Sequence, residues 1–237
     1  MLSSDEWAVV ALSLKVALAS VLASAPLALA CAWLLARKTF PGKTLLDATV
    51  HLPLVLPPVV IGYALLVLFG KQGPIGGWLH AWFGVSFAFR WTGAALAAAV
   101  MGFPLMVRAM RLAIEAVPER LEWAARTLGA SRVRVFATVT LPLAVPGIVV
   151  GVLLAFARSL GEFGATITFV SNIPGETQTL PLAIYGLTQS PGADAAILRL
   201  CAVSVALSMA ALAASEWISR RLRGRGPAGN TREGIVA

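Results

Sequence analysis

Five long apolar stretches, interrupted by short polar ones, set the pattern of this chain. They run from about Trp7 to Ala36, His51 to Gly70, Thr92 to Val107, Leu143 to Val170 and Ala196 to Ile218. Runs of about 20 apolar residues are long enough to cross the hydrocarbon core of a bilayer as helices. The pattern therefore predicts an all-α integral membrane protein of about five transmembrane helices. The second stretch carries Pro53, Pro57 and Pro58. Proline lacks an N–H and frees carbonyls that a neighbour or a cavity must satisfy. Its first half is therefore not expected to be a regular helix, and the stretch is either a path lining or a packing kink. The fourth opens with Pro142 and Pro146, tolerable in a first helical turn, and contains the spacing Gly147-x-x-x-Gly151, which lets helices approach closely.

The segments between the spans are distinct. Residues 71–90 are rich in glycine and aromatics (Trp78, Trp82, Phe83, Phe87), with Trp91 following, a composition that settles at the headgroup level, and a short interfacial helix is expected there. Residues 171–195 hold no Lys or Arg, and Leu180 to Leu187 is apolar but far too short to span, so a short helix or re-entrant piece fits. Glu115 to Pro142 reads instead as a soluble helix-turn-helix. Leu121, Ala124, Ala125 and Leu128 recur at helical spacing, and Gly129-Ala130-Ser131 breaks the helix.

Composition agrees. Of 237 residues 58% are hydrophobic and 13% charged, against about 25% charged in a soluble domain. The net charge of +8 would suggest nucleic acid in a soluble chain. Here the basic residues lie in loops, so no nucleic-acid partner is expected and membrane lipid is the surroundings. Three basic residues follow the first span, six lie between Arg108 and Arg134, and five are in the tail from Arg220 to Arg232. These are alternate loops, so the positive-inside tendency puts the N-terminus outside, the C-terminus inside and the central loop in the cytoplasm. Lys15 is expected to snorkel to the interface. Ala23-Ser24-Ala25 imitates a cleavage site, but Pro26 follows and the leader is acidic, so the first span is read as retained. One domain is expected over 1–225, with 226–237 a disordered cytoplasmic tail.

Cys31 and Cys201 each stand alone in an apolar run, and no metal-ligand spacing occurs, so no metal site is expected. His51 and His80 are not near a candidate serine nucleophile in sequence, which disfavours an intramembrane enzyme. No GxxxxGK[ST] phosphate loop exists, so no ATP site is expected on this chain.

The central segment has a longer signature. Ala124-Ala125, then Gly129, then Val139-Thr140-Leu141-Pro142 nine residues later, resembles the cytoplasmic loop of ABC importer permeases, whose pattern is EAA, three residues, Gly, nine residues, Ile-x-Leu-Pro. The departure is Trp123 where that family has Glu; Glu122 lies one residue earlier. Further stretches, FPGK at 40–43, HLPLVLPPVVIGY at 51–63, AAAVMGFPLMVRAMRLAIE at 97–115 and FARSLGEFGATITFVSNIPGETQT at 156–179, look like the molybdate permeases of this family, and the region around Arg158 is similar in sulfate permeases. The resemblance implies a type I importer permease fold with a cytoplasmic coupling helix and a bacterial inner-membrane location. It also implies a second copy of the chain, a cytoplasmic ATPase pair that carries the ATP and Mg, and a periplasmic molybdate-binding protein. This chain would be the non-catalytic pore, binding no cofactor. Sulfate, thiosulfate or tungstate is the alternative cargo.

On the resemblance, Glu122, Trp123, Ala124, Ala125, Gly129, Leu141 and Pro142 are the expected coupling residues. A dianion path needs hydroxyl, amide and N–H donors, which Thr166, Thr168, Ser171 and Asn172 could offer. Arg158 and Glu162 are four apart on one helical face. Either Arg158 attracts the anion or the two form a mutually neutralising structural pair, and the pair is the better reading because Glu162 would repel an anion.

Overall fold

A computed structural model describes residues 2–223, so the expected tail at 226–237 lies outside the described residues. Every regular element among them is helical. Helix α1 (Ser4–Arg37) starts at a reciprocal cap: the Glu6 N–H donates to Ser3 Oγ at 3.2 Å and the Ser3 N–H to Glu6 Oε2 at 2.7 Å. The pair satisfies two of the donors a helix start leaves open. With 34 residues, α1 is about 51 Å long, and it forms the spine against which the other helices are ordered.

The second apolar stretch is two helices, α2 (Lys43–Val55) and α3 (Pro58–Phe69), bent by 114° at Leu56-Pro57. The expectation of an irregular first half holds, with the irregularity confined to one break. Pro53 sits inside α2 without breaking it, and the break falls where Pro57-Pro58 withdraws two successive N–H groups. Among the described residues four helices are long and apolar enough to cross a membrane, or five if the bent pair is one span.

Helix α4 (Pro74–Phe83) is the short helix expected in the aromatic segment. Helix α5 (Trp91–Glu115) runs eight residues past the expected end at Val107. Arg108 and Arg111 therefore lie on the helix and not in the loop. Arginine is a good helix former, so a charge marks the membrane edge without ending the helix. Lys15 places its ammonium 3.8 Å from the Trp91 ring centre, at the start of α5.

The central segment holds α6 (Glu119–Thr127) and α7 (Arg132–Val135), and α7 continues through a π turn (Phe136–Thr140) into α8 (Leu141–Leu160). Pro142 therefore lies past the start of a continuous helix and not in its first turn. In the wide turn before it, the Leu141 N–H reaches back five residues to the Phe136 carbonyl. The fourth stretch also breaks at Gly161–Phe163, and α9 (Gly164–Val170) resumes beyond it. Helix α10 (Leu180–Thr188) is the expected short helix, and α11 (Asp194–Arg223) is the last span.

Packing follows small residues. A Cβ built on Gly147 would fall 2.3 Å from Ala113 Cβ, and one on Gly151 3.1 Å from Ala109 Cβ. Helices α5 and α8 therefore touch backbone to backbone, as the glycine spacing predicted. The core divides along α1. Val21, Ala28 and Leu35 pack with Met106, Met110 and Ile114 toward the Arg37 end. Val16 packs with Ile61, Ala94, Met101 and Phe169 in the half nearer Ser4. The Ser4 end is tied to α11 by Arg199, whose Nη2 and Nε lie 2.8 and 3.0 Å from Glu6 Oε1.

Candidate functional site

The central segment is a helix whose amphipathicity is turned inside out. Helix α6 ends in a Schellman motif: the Ala130 N–H donates to the Ala125 carbonyl at 3.1 Å, and the Gly129 N–H to the Arg126 carbonyl at 2.9 Å. The motif needs a left-handed residue, and Gly129 has φ +85° with nothing within 4 Å of the position its Cβ would take. The glycine is thus required by backbone conformation alone. Ser131 then caps α7, its hydroxyl accepting the Arg134 N–H at 3.4 Å.

Leu121, Trp123 and Ala124 on α6 are exposed, as is Leu128 at its end, where 88% of the side chain's surface is free. Ala125 is half-buried and Gly129 exposed. The buried residue of α6 is its carboxylate, Glu122, with a side chain 7% exposed. Glu122 Oε1 accepts from Arg37 Nε at 3.0 Å and from Thr140 Oγ1 at 2.9 Å, while Arg37 Nη2 also donates to the Val117 carbonyl at 2.8 Å. Arg126 lies at 3.9 Å on the other carboxylate oxygen. The Glu122 carboxylate therefore joins the end of α1 and the π turn leading into α8 to helix α6, and Arg37 adds the loop leaving α5. Charge-assisted hydrogen bonds of this kind are about twice as strong as neutral ones.

Of the expected coupling residues, the structure gathers Trp123, Ala124 and Gly129 on the exposed side and turns Glu122 inward. Leu141 is half-buried and Pro142 exposed at the head of α8, directly after the clamp at Thr140. Sequence reasoning missed Arg37 and Thr140. Thr140 occupies the variable position before Leu141-Pro142, and Arg37 is 85 residues from Glu122, so no local signal pairs them.

The second cluster sits where the middle of α1 meets the end of α8. Ser159 Oγ meets Ser20 Oγ at 3.1 Å, and Ser20 is halfway along α1. Arg158 Nη1 lies 2.7 Å from Glu162 Oε2, with side chains 31% and 2% exposed. That contact is an ion pair without hydrogen-bond alignment, because Oε2 has no hydrogen-bond partner among the described residues. Glu162 Oε1 accepts the Ala165 N–H at 2.9 Å at the start of α9. Gly164 packs directly on Pro58, where an added Cβ would fall 2.7 Å from the Pro58 Cβ. The break before α9 thus faces the break before α3.

The four other path candidates separate. Thr166 is buried, and Thr168 returns its hydroxyl to the Gly164 carbonyl at 2.9 Å. Ser171 is exposed with φ +62°, uncommon for a residue with a Cβ. Asn172 donates Nδ2 to the Leu182 carbonyl at 3.1 Å, holding α10. Thr177, which sequence reasoning did not single out, knits this loop. Its hydroxyl donates to the Ser171 carbonyl and accepts the Ile173 N–H, both at 2.9 Å.

Comparison with known proteins places this arrangement. Residues 24–224 match the family described as binding-protein-dependent transport system inner membrane component. The chain is 63% identical over 225 residues to the molybdenum transport system permease protein ModB of Escherichia coli K12, covering 95% of this chain and 98% of that one. It is 58% identical, at the same coverage, to the protein of that name from Haemophilus influenzae. In fold it superposes on a chain of a bacterial alginate ABC transporter, in complex with an alginate pentasaccharide-bound periplasmic protein, with a TM-score of 0.72 at 17% identity over 93% of this chain and 80% of that one.

Proposed function

The chain belongs to the family of binding-protein-dependent transport system inner membrane components, and on that premise we propose that it forms the pore of an ATP-driven molybdate importer. It is a multi-pass permease subunit and not itself an enzyme. Two copies enclose the path, a cytoplasmic ATPase pair grips the two α6 elements, and a periplasmic protein delivers the anion. ATP and its magnesium belong to the ATPase. The N-terminus is periplasmic and the C-terminus cytoplasmic, by the distribution of basic residues.

The observation that carries this reading is α6. Helix α6 and its C-cap leave Leu121, Ala124 and Leu128 exposed on one face, beside the cluster of Arg37, Lys38, Arg126 and Arg132, while its one buried side chain clamps α1 to the root of α8. An exposed apolar helix face of this kind suits a groove on a partner. A push on α6 reaches α1 and α8 through Arg37 and Thr140, so ATP-driven closure of the partner can tilt two spans together. The high identity to molybdenum permeases along nearly the full chain favours molybdate over sulfate, thiosulfate or tungstate.

The test is reconstitution with the ATPase subunits, measuring ATP turnover stimulated by binding protein loaded with molybdate, tungstate or sulfate. Stimulation by molybdate is expected. Stimulation by sulfate alone would assign the alternative cargo, and turnover indifferent to the permease would overturn the reading.

A further inference from the structure

Beside the coupling helix lie two adjoining cavities of opposite character. The first, of about 440 Å³, is walled by Pro26, Leu29 and Ala30 of α1 and by Val133 and Phe136 across from them. The α1 residues recur at helical spacing on one stripe about 10 Å long. Trp33, Phe136 and Arg132 border this groove and also the second cavity, of about 130 Å³. Trp33 and Phe136 meet edge to face at 6.0 Å between ring centres, forming the partition.

The second cavity is polar. Four cations, Arg37, Lys38, Arg126 and Arg132, face two carboxylates, Glu119 and Glu122. Arg37 and Arg126 turn to Glu122. Among the described residues this leaves Lys38 and Arg132 without a carboxylate, Lys38 resting 5.4 Å from the Trp33 ring. An apolar trough within the bilayer thus opens, across an aromatic edge, onto a basic pocket at its surface.

We propose that this composite cavity binds an anionic glycerophospholipid, an acyl chain in the α1 groove and the phosphate against Arg132 and Lys38. The division fits the ligand. Tryptophan settles at the headgroup level, and basic pockets at the cytoplasmic ends of membrane helices attract anionic headgroups. A second copy of the chain could fill the apolar trough but would leave the two cations unmatched. The wall opposite α1 is the segment joining α6 to α8, so a bound lipid braces the element that carries motion from the ATPase. The proposal rests on the cytoplasmic assignment of that end made above.

The experiment uses the complete complex with its ATPase in nanodiscs of phosphatidylcholine, with or without phosphatidylglycerol. Native mass spectrometry reads retained lipid, and molybdate-stimulated ATP turnover reads function. Wild type is expected to retain phosphatidylglycerol over phosphatidylcholine and to respond to it. Arg132→Ala and Lys38→Ala each weaken retention about fivefold, and Ala30→Trp, which fills the trough, abolishes it. Failure of molybdate to stimulate wild type in either lipid would count against the transporter reading and not against the lipid, which native mass spectrometry reads independently of turnover. Equal phosphatidylglycerol retention in wild type and all variants would overturn the proposal. So would a disulfide from Ala30→Cys to a second copy, which would show the groove covered by protein.

Discussion

Removing the Glu122 carboxylate should unlock the coupling helix. In Glu122→Ala, Arg37 keeps the Val117 carbonyl but loses both contacts to Oε1, and the buried Thr140 hydroxyl loses its acceptor. Both are enclosed: the Arg37 side chain is 10% exposed and Thr140 is buried. Breaking a buried pair by deleting one partner costs about 3–5 kcal/mol, chiefly because the remaining charge stays desolvated. At about 2–4 °C per kcal/mol for a chain of this size, the thermal midpoint of the purified permease falls by about 10 °C. Glu122→Gln keeps an acceptor for Thr140 and loses the charge, so its cost lies between. The double variant Arg37→Met with Glu122→Leu removes both charges, and an apolar substitute for a buried pair is often close to neutral. It should regain much of the midpoint, less the cost of the Thr140 hydroxyl and Val117 carbonyl that lose their partners, yet leave binding-protein-stimulated ATP turnover low, because a specific clamp has become a slippery contact. A Glu122→Ala protein with the wild-type midpoint and full stimulation would refute the argument that this side chain joins α1, α6 and the π turn.

Three further outcomes follow from the packing and exposure. Gly147→Leu should drive α5 and α8 apart and abolish recovery of folded protein, while Gly147→Ala is milder and is relieved by Ala113→Gly, both read by the yield of monodisperse permease in detergent. Leu128→Asp touches nothing in the chain's own interior, so its stability stays within about 0.5 kcal/mol of wild type while co-purification of the ATPase is lost. Arg158→Ala leaves Glu162 buried and unpaired, at a cost of about 3–5 kcal/mol, so assembled complex should be missing from membranes. Normal assembly with weakened uptake would instead make Arg158 an anion contact.

Much of the fold was legible because the solvent changes along the chain. A bilayer demands apolar length, so α1, α5, α8 and α11 announce themselves, and the glycines at 147 and 151 announce a close contact. The ends of the spans were less legible. Arg108 and Arg111 look like a loop but continue α5, since helix and membrane need not end together. The proline run in the second stretch suggested irregularity over its first half, whereas the chain absorbs Pro53 and concentrates the break at Leu56-Pro57. Likewise the fourth stretch looks continuous through Glu162, yet it stops at Gly161 so that Glu162 can take the Ala165 N–H.

By itself the sequence determined the solvent, the class of element and the presence of an amphipathic break at Gly129, because each depends on residues within a few turns of one another. Only the tertiary structure decided which way α6 faces. Its apolar stripe says that one face is greasy but not what covers it, and the structure leaves Leu121 and Leu128 exposed and buries Glu122. The reason is that Arg37, buried at the end of α1 and 85 residues away in sequence, finds its counter-charge there. Contacts across that distance leave no period in the chain, so the turn of the coupling helix toward a partner belongs to the fold and not to the pattern that predicts it.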